Sequence, residues 1–288
     1  MEKKKEINYI NTPFNYTGNK FKLLEQLLPL FDYSKYYFID IFAGGGSIWT
    51  NVVDKYSKIL VNDIIEDLVN IQKLLLSDPE TIIKLTKELC PSKDDAKSYG
   101  ELRMSYNENK TPEKLWALML SCTNNLMRFN QKGGFNQTFG KRGFNSNTQK
   151  KVDLFVNHIS NFKDKIIFTS KDFHTINIKK PAMVYLDPPY GRIKNSDGKM
   201  SNNQISSAGY NNVWSKSHDE KLYKYIHTLD KNGSSFILSG MLEHDGNVSW
   251  MLDKLIQDGF KYKEIIMNYN KVSRKGNKNT KEIIIMNY

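Results

Sequence analysis

The sequence predicts an α/β fold: a doubly wound, mostly parallel sheet, closed by an antiparallel C-terminal hairpin and interrupted by an inserted, mainly helical module. Three observations predict it. Short apolar runs of β type alternate with stretches of helical periodicity near both ends of the chain, the first of those runs stops at three glycines, and the rhythm breaks between about Ser77 and Val152.

In order along the chain, "NKFKLLEQLLPLF" (Asn19 to Phe31) repeats apolar residues at helical spacing, and "YYFIDIF" (Tyr36 to Phe42) is a strand-like run that ends in "AGGGS". A helix is expected from about Ser47, then a buried strand in "KILVNDI" (Lys58 to Ile64) and a helix in "EDLVNIQKLLL". This β-turn-α-β opening belongs to a doubly wound sheet. From 77 to 152 helical segments lead into "NLMRFNQKGGFNQTFGKRGFNSNTQKK", rich in Gly, Asn and Lys/Arg with interleaved Phe, which does not read as a further βαβ unit. The rhythm resumes with "KIIFTSKDF" (Lys165 to Phe173), "AMVYLDPPY", the helix "SHDEKLYKYIHTL" and "SSFILSG" (Ser234 to Gly240). The near-repeat "YKEIIMNY" (Tyr262 to Tyr269) and "KEIIIMNY" (Lys281 to Tyr288) reads as two strands of one hairpin. The polar stretch Ile193 to Gly209 is expected to be a mobile loop over the site.

With 288 residues, 39% of them hydrophobic, the chain can bury a sizeable core in one large domain carrying an insertion. Its formal net charge of +11 favours a polyanionic partner over a neutral metabolite. Cys90 and Cys122 are far apart and outside any CxxC or Cys/His cluster, and the five histidines show no HExxH spacing, so no disulfide framework and no metal site is expected. No apolar stretch follows the charged start, so neither a signal peptide nor a membrane span is expected and the protein should be cytoplasmic.

Glycines at the end of "FIDIFAGGGSI" let a backbone approach a ligand closely, with the acid Asp40 just before the turn. A tight structural turn would use them equally. Asp63 ends the next strand, where a carboxylate can accept both hydroxyls of a ribose or simply cap the strand. The turn lacks the GxGxxG order and a basic residue for a pyrophosphate, so the pair points to a nucleoside cofactor without phosphates, a description that S-adenosyl-L-methionine fits. In "LDPPY", ionised Asp187 can accept one hydrogen of an amino group, the carbonyl of Pro188 can accept the other, and Tyr190 offers a flat face for a base to stack on. The nitrogen lone pair is then left free to attack a methyl sulfonium.

In this order the motifs resemble the adenine-N6 DNA methyltransferases of the Dam type, over essentially the whole chain. "FNYTGNKFKLL" resembles their opening cofactor motif, "FIDIFAGGGS" the methionine-binding turn, "VND" the ribose acid and "YLDPPY" the catalytic motif. The resemblance implies a Rossmann-like S-adenosylmethionine-dependent methyltransferase sheet, with residues 1–76 and 153–288 as catalytic domain and 77–152 as DNA-recognition domain. It implies cofactor contacts from Tyr16, Lys20, Asp40, Phe42, Gly44, Gly46, Asp63, Asp172, Phe173 and Asp187, and catalysis by Asp187, Pro188 and Tyr190. "NNLMRFNQKGGFNQTFGKR" resembles the hairpin that reads GATC, with Arg128 as the guanine reader and Leu126 and Thr138 at the thymine contacts. Thr138 stands where a proline is usual. Asn130 belongs to the same hairpin, and Lys132, Lys141 and Arg142 are phosphate contacts or solvated charges. "YNNVWS" (Tyr210 to Ser215) also fits the phage enzymes of this type, after a longer loop. The implied partner is double-stranded DNA in a bacterial or phage setting, with no membrane and no obligatory protein partner. A monomer or weak dimer is sufficient for a palindrome methylated one strand at a time.

The rival readings are an RNA or amide methylase on the same fold, and a catalytically silent DNA-binding module. Amide methylases tend to carry Asn where Asp187 stands, and neither cysteine has the context of a covalent nucleophile for cytosine-C5 chemistry.

Overall fold

The computed structural model describes residues 8–14, 16, 18–130, 132–190, 192–194, 200–204, 214–244, 246–265 and 280–288. The expected helix at Asn19 to Phe31 is one α-turn, α1 (Leu24–Leu27), between two 3-10 turns. Pro29 lacks the N–H that a continuing α-helix would use, and Leu23, Leu24, Leu27 and Leu28 are buried on one side.

Four parallel strands follow the expected segments. β1 (Tyr37–Asp40) lies between β2 (Lys58–Asn62) and β4 (Ala182–Leu186), and β2 carries β3 (Ile166–Thr169) on its outer edge. β3 is shorter than expected: Phe173 opens a 3-10 turn, Phe173–Thr175, instead of ending the strand. Beyond β4, β7 (Ser235–His244) is also parallel. The two C-terminal repeats are β9 (Lys261–Ile265) and β10 (Thr280–Met286), antiparallel in the register Glu282 to Ile265, with β10 inserted between β9 and β7. The order β3-β2-β1-β4-β7-β10-β9 is that of a Rossmann-like methyltransferase sheet with an antiparallel C-terminal edge. Residues 266–269 of the first repeat lie outside the described residues.

The polar stretch Ile193 to Gly209 is not all loop. β5 (Arg192–Lys194) pairs antiparallel with β6 (Met200–Gln204) and with β8 (Asn247–Val248), which folds back on the end of β7. A free strand edge offers unpaired N–H and C=O groups whatever side chains the incoming segment carries, so polarity did not prevent pairing. Residues 195–199 and 205–213, including most of "YNNVWS", lie outside the described residues.

Alternating side chains divide the core between the two faces of the sheet. Phe38, Met183 and Ile284 enter one cluster with helix α2 (Ser47–Val52), α3 (Glu66–Ser77), α4 (Pro79–Leu89), α5 (Ala96–Glu108), α6 (Pro112–Ser121) and α7 (Ser146–Ser160). Ile39, Val184 and Ile285 enter the other with α8 (Lys216–Lys231) and α9 (Trp250–Gln257). Helix α6 is buried from Leu115 to Ser121, as a helical stretch apolar on nearly every side must be, while its first turn with Glu113 and Lys114 is half-buried. Trp116 of α6 and Phe155 of α7 both lie against Phe14, at 6.0 and 6.1 Å between ring centroids, so the inserted helices and the sheet share one core. Residue 152, the expected end of the module, falls inside α7. Among the described residues no helix is long and apolar enough to cross a membrane.

Candidate active site and recognition hairpin

The glycine turn follows β1 directly and is clamped from three sides. Gly44 and Gly46 adopt positive φ (50° and 79°), which glycine tolerates without a Cβ clash. The Gly44 N–H donates to Oδ2 of Asp63 at 2.9 Å, and the Gly44 carbonyl accepts from Nε2 of Gln72 at 3.0 Å. Oε1 of Gln72 in turn accepts from the indole N–H of Trp49 at 2.8 Å. A Cβ on Gly44 or Gly45 would come within 2.8 Å of Tyr16, so Tyr16 lies against the turn.

Asp63 is buried at the end of β2, and its other oxygen accepts from the N–H of Ile65 at 3.0 Å. It therefore shapes the turn, and an ionised carboxylate still has room for two further donors. Burial pushes its pKa up, against the two backbone hydrogen bonds. Asp40 is buried at the end of β1, and neither of its carboxyl oxygens has a hydrogen-bond partner among the described residues. Burial, then the Asp187 carboxylate, push its pKa well above the ordinary value, against smaller opposing pulls from the Trp49 N–H, which does not complete a hydrogen bond to it, and from the Lys20 charge.

Across the strand ends, Nζ of buried Lys20 meets Oδ2 of Asp187 at 2.5 Å and the Gly18 carbonyl at 3.2 Å, and the Lys20 N–H donates to Oγ of Ser47. The same ammonium lies 5.7 Å from the ring centroid of Tyr190. Burial pushes the Asp187 carboxyl up from its usual range, and the Lys20 charge opposes it. Burial pulls the Lys20 ammonium down, but Asp187, Tyr190 and Tyr185 together more than restore it and leave its pKa well above the ordinary lysine value. Pro188 is buried beside them and Tyr190 half-buried. Phe42, Phe173 and Trp214 form an aromatic cluster with ring centroids 5.5 to 5.7 Å apart. Asp172 stays half-exposed and pairs with Nδ1 of His174 at 2.7 Å.

The expected recognition residues gather on a separate hairpin, carried by α5 and α6. Antiparallel bridges at Cys122 to Phe139 and Phe129 to Phe135 define it, without a continuous ladder. Tyr99 donates to the Gln137 carbonyl at 2.9 Å, and Asn107 holds both backbone groups of Phe135. Oδ1 of Asn130 accepts from the N–H groups of Lys132 and Gly134, so this side chain builds the hairpin tip. Arg128, Thr138, Lys141 and Arg142 are exposed, and Leu126 is half-buried. Gln72, Ser47, Trp214 and Asn136 were not singled out from the sequence. Gln72 alone had a signal there, as a lone polar residue among the apolar positions of α3.

Residues 16–270 match the family model of the D12 class N6 adenine-specific DNA methyltransferases. The chain belongs to this family. It is 30% identical, over an alignment of 297 residues, to the modification methylase StsI of Streptococcus sanguinis, spanning 97% of this chain and 43% of that protein. To the type II methyltransferase M.FokI of Planomicrobium okeanokoites it is 29% identical, spanning 85% and 38%. To the DNA adenine methylase of Vibrio cholerae it is 25% identical, spanning 61% and 63%. The chain thus covers less than half the length of the first two relatives. The expected adenine-N6 DNA methyltransferase class is met at the level of the family.

S-adenosylmethionine is the methyl donor of this D12 class family. The residues at the turn fit it: a buried carboxylate at Asp40 with no hydrogen-bond partner among the described residues, acceptor positions left on Asp63, and an apolar aromatic wall at Phe42 and Phe173.

Proposed function

We propose that this chain methylates N6 of adenine in duplex DNA, within GATC or another short site read by the Arg128 hairpin. The observation that carries the reading is the Lys20–Asp187 pair at the end of β4, beside the glycine turn that Asp63 holds. The Lys20 charge there opposes the burial that favours protonation of the half-buried Asp187 carboxyl.

Asp40, Asp63, Phe42, Phe173, Tyr16 and Lys20 are the residues that would hold the cofactor. When bound, it supplies an electrophilic methyl group on a sulfonium. The remaining work falls to this chain. Its excess positive charge draws the duplex in, and an adenine leaves the stack, at a cost of a few kcal/mol, to lie against the Tyr190 ring. Ionised Asp187 accepts one amino hydrogen and the Pro188 carbonyl the other, which leaves the nitrogen lone pair as the group free to react. Positioning of this kind supplies most of the catalysis. The surplus proton goes to solvent or to Asp187 afterwards. Leu126, Thr138 and Arg128 face the bases, and Lys132, Lys141 and Arg142 the phosphates.

The test is transfer of a labelled methyl group to unmethylated duplex DNA, followed by digestion with an enzyme that methylated GATC blocks, with Asp187→Ala as control. Label in adenine with protection is expected. Label without protection would move the reading to another short site. Label in RNA alone, or no label with DNA binding retained, would reject it.

A further inference from the structure

We propose that Asn136 is a positioning residue for base recognition: it holds one edge of the Arg128 guanidinium so that the other edge is presented, already oriented, to guanine. The proposal rests on the reading of the hairpin as the DNA reader. Arg128 and Asn136 face each other across that hairpin, where the Asn136 N–H donates to the Arg128 carbonyl at 2.9 Å. The side chains repeat the pairing. Nε of Arg128 donates to Oδ1 of Asn136 at 2.9 Å, and Nη2 donates to the Asn136 carbonyl at 2.8 Å.

These two donors form the lateral edge of the guanidinium, so a single residue occupies that edge completely. Among the described residues the terminal edge, Nη1 with the second hydrogen of Nη2, remains for a ligand, and its two parallel N–H groups match the O6 and N7 acceptors of guanine. Arg128 is exposed, so burial does not impose this conformation. An unrestrained arginine at the surface samples many rotamers, and fixing one before binding removes an ordering cost that would otherwise reduce affinity for the correct base. Thr138, on the opposite strand of the hairpin from Thr123, is held in the same manner. Its hydroxyl lies 3.0 Å from that of Thr123, and the Thr123 N–H donates to its carbonyl at 2.9 Å. Arg128 and Thr138, two of the three candidate base readers, are therefore held by partners on the hairpin itself.

The experiment measures methylation of a randomised duplex library by wild type, Asn136→Ala, Asn136→Asp, Arg128→Ala and the Asn136→Ala/Arg128→Ala double variant. Base preference is read at every position around the modified adenine. Asn136→Ala is expected to reduce guanine preference at one position about tenfold, chiefly through KM, and to leave the other positions and the melting temperature unchanged. Asn136→Asp, which keeps the acceptor, should restore most of that preference. In the Arg128→Ala background, loss of Asn136 should change the preference no further. A uniform loss across all sequences, or an additive effect in the double variant, would overturn the proposal, since Asn136 would then act directly on the DNA. Guanine preference untouched by Arg128→Ala would instead remove the base-reading role of Arg128 and this proposal with it. Absence of DNA methylation by the wild-type chain would overturn the proposed function itself.

Discussion

Lys20 and Asp187 are joined by a 2.5 Å ion pair across 167 positions of chain, the segment before β1 reaching over to the end of β4. Burial raises the pKa of Asp187, and the Lys20 charge is the influence set against it. Lys20→Met removes that charge, so Asp187 should take up its proton at higher pH. A protonated Asp187 makes a poorer acceptor for the amino group. The acid limb of the pH–rate profile should therefore move up, the rate at pH 7 should fall roughly tenfold or more, and raising the pH should recover part of it. Lys20→Arg should hold the limb near its wild-type place. An unmoved limb in Lys20→Met would show that Lys20 does not set the protonation of Asp187.

Asp40 is expected to trade stability for cofactor binding. Its pKa is raised in the folded state, so folding favours the protonated form, and stability falls as pH rises through and above the ordinary carboxylate range. Asn at this position carries no charge. Asp40→Asn should therefore raise the urea midpoint of the free protein at pH 8 and have little effect at pH 4. Cofactor affinity, read by calorimetry, should drop about 10- to 100-fold through loss of a charged hydrogen bond. An unchanged affinity would remove Asp40 from the cofactor residues.

Two glycines separate backbone strain from crowding. Gly46 has φ of 79°, and a Cβ there would stand 2.5 Å from Nε1 of Trp49 and 2.7 Å from Oε1 of Gln72. Gly18 has a similar φ of 84° with nothing within 4 Å. Gly18→Ala should cost about 1 kcal/mol, the backbone contribution alone. Gly46→Ala should cost roughly 2–4 kcal/mol, because it also breaks the Trp49–Gln72 hydrogen bond. Equal losses in denaturant unfolding would mean that the clamp contributes nothing.

Asp219 is buried near the start of α8, where its carboxyl accepts from the indole N–H of Trp214 at 2.7 Å. Burial raises its pKa to about 6, with that hydrogen bond opposing. The folded state thus holds the proton more tightly than the unfolded chain, and stability is lost as pH rises from about 4 to about 6. Asp219→Asn keeps an oxygen for Trp214. It should stabilise the protein by about 1–3 kcal/mol at pH 7.5 and not at pH 4. A gain of equal size at both pH values would point to a cause other than ionisation.

The strands that frame the site were legible because each is a local pattern: an apolar run, a turn residue, an acid at the end. The glycine turn and Asp63 could be paired from sequence, since both terminate such runs on one sheet. Lys20 could be placed at the site only through the resemblance, for a lysine at a helix start is by itself an ordinary surface residue. The clamp made by Gln72, the aromatic cluster that Trp214 joins and the hold of Asn136 on Arg128 left almost no trace. Each depends on side chains whose neighbours come from other elements.

Hydrophobic periodicity and turn residues specify strand, helix and the acids at strand ends, because these depend on neighbours within a few residues. They therefore settled the α/β class, the antiparallel C-terminal edge and the positions of Asp40, Asp63 and Asp187. Only the folded chain decided that β5 and β6 extend the sheet within a polar stretch, since free backbone edges pair without regard to side-chain polarity. Only the folded chain decided that Lys20 pairs with Asp187 while the carboxyl oxygens of Asp40 have no hydrogen-bond partner among the described residues. Charge compensation inside a protein depends on which groups the tertiary contacts bring within a few ångströms, and sequence separation does not encode that distance.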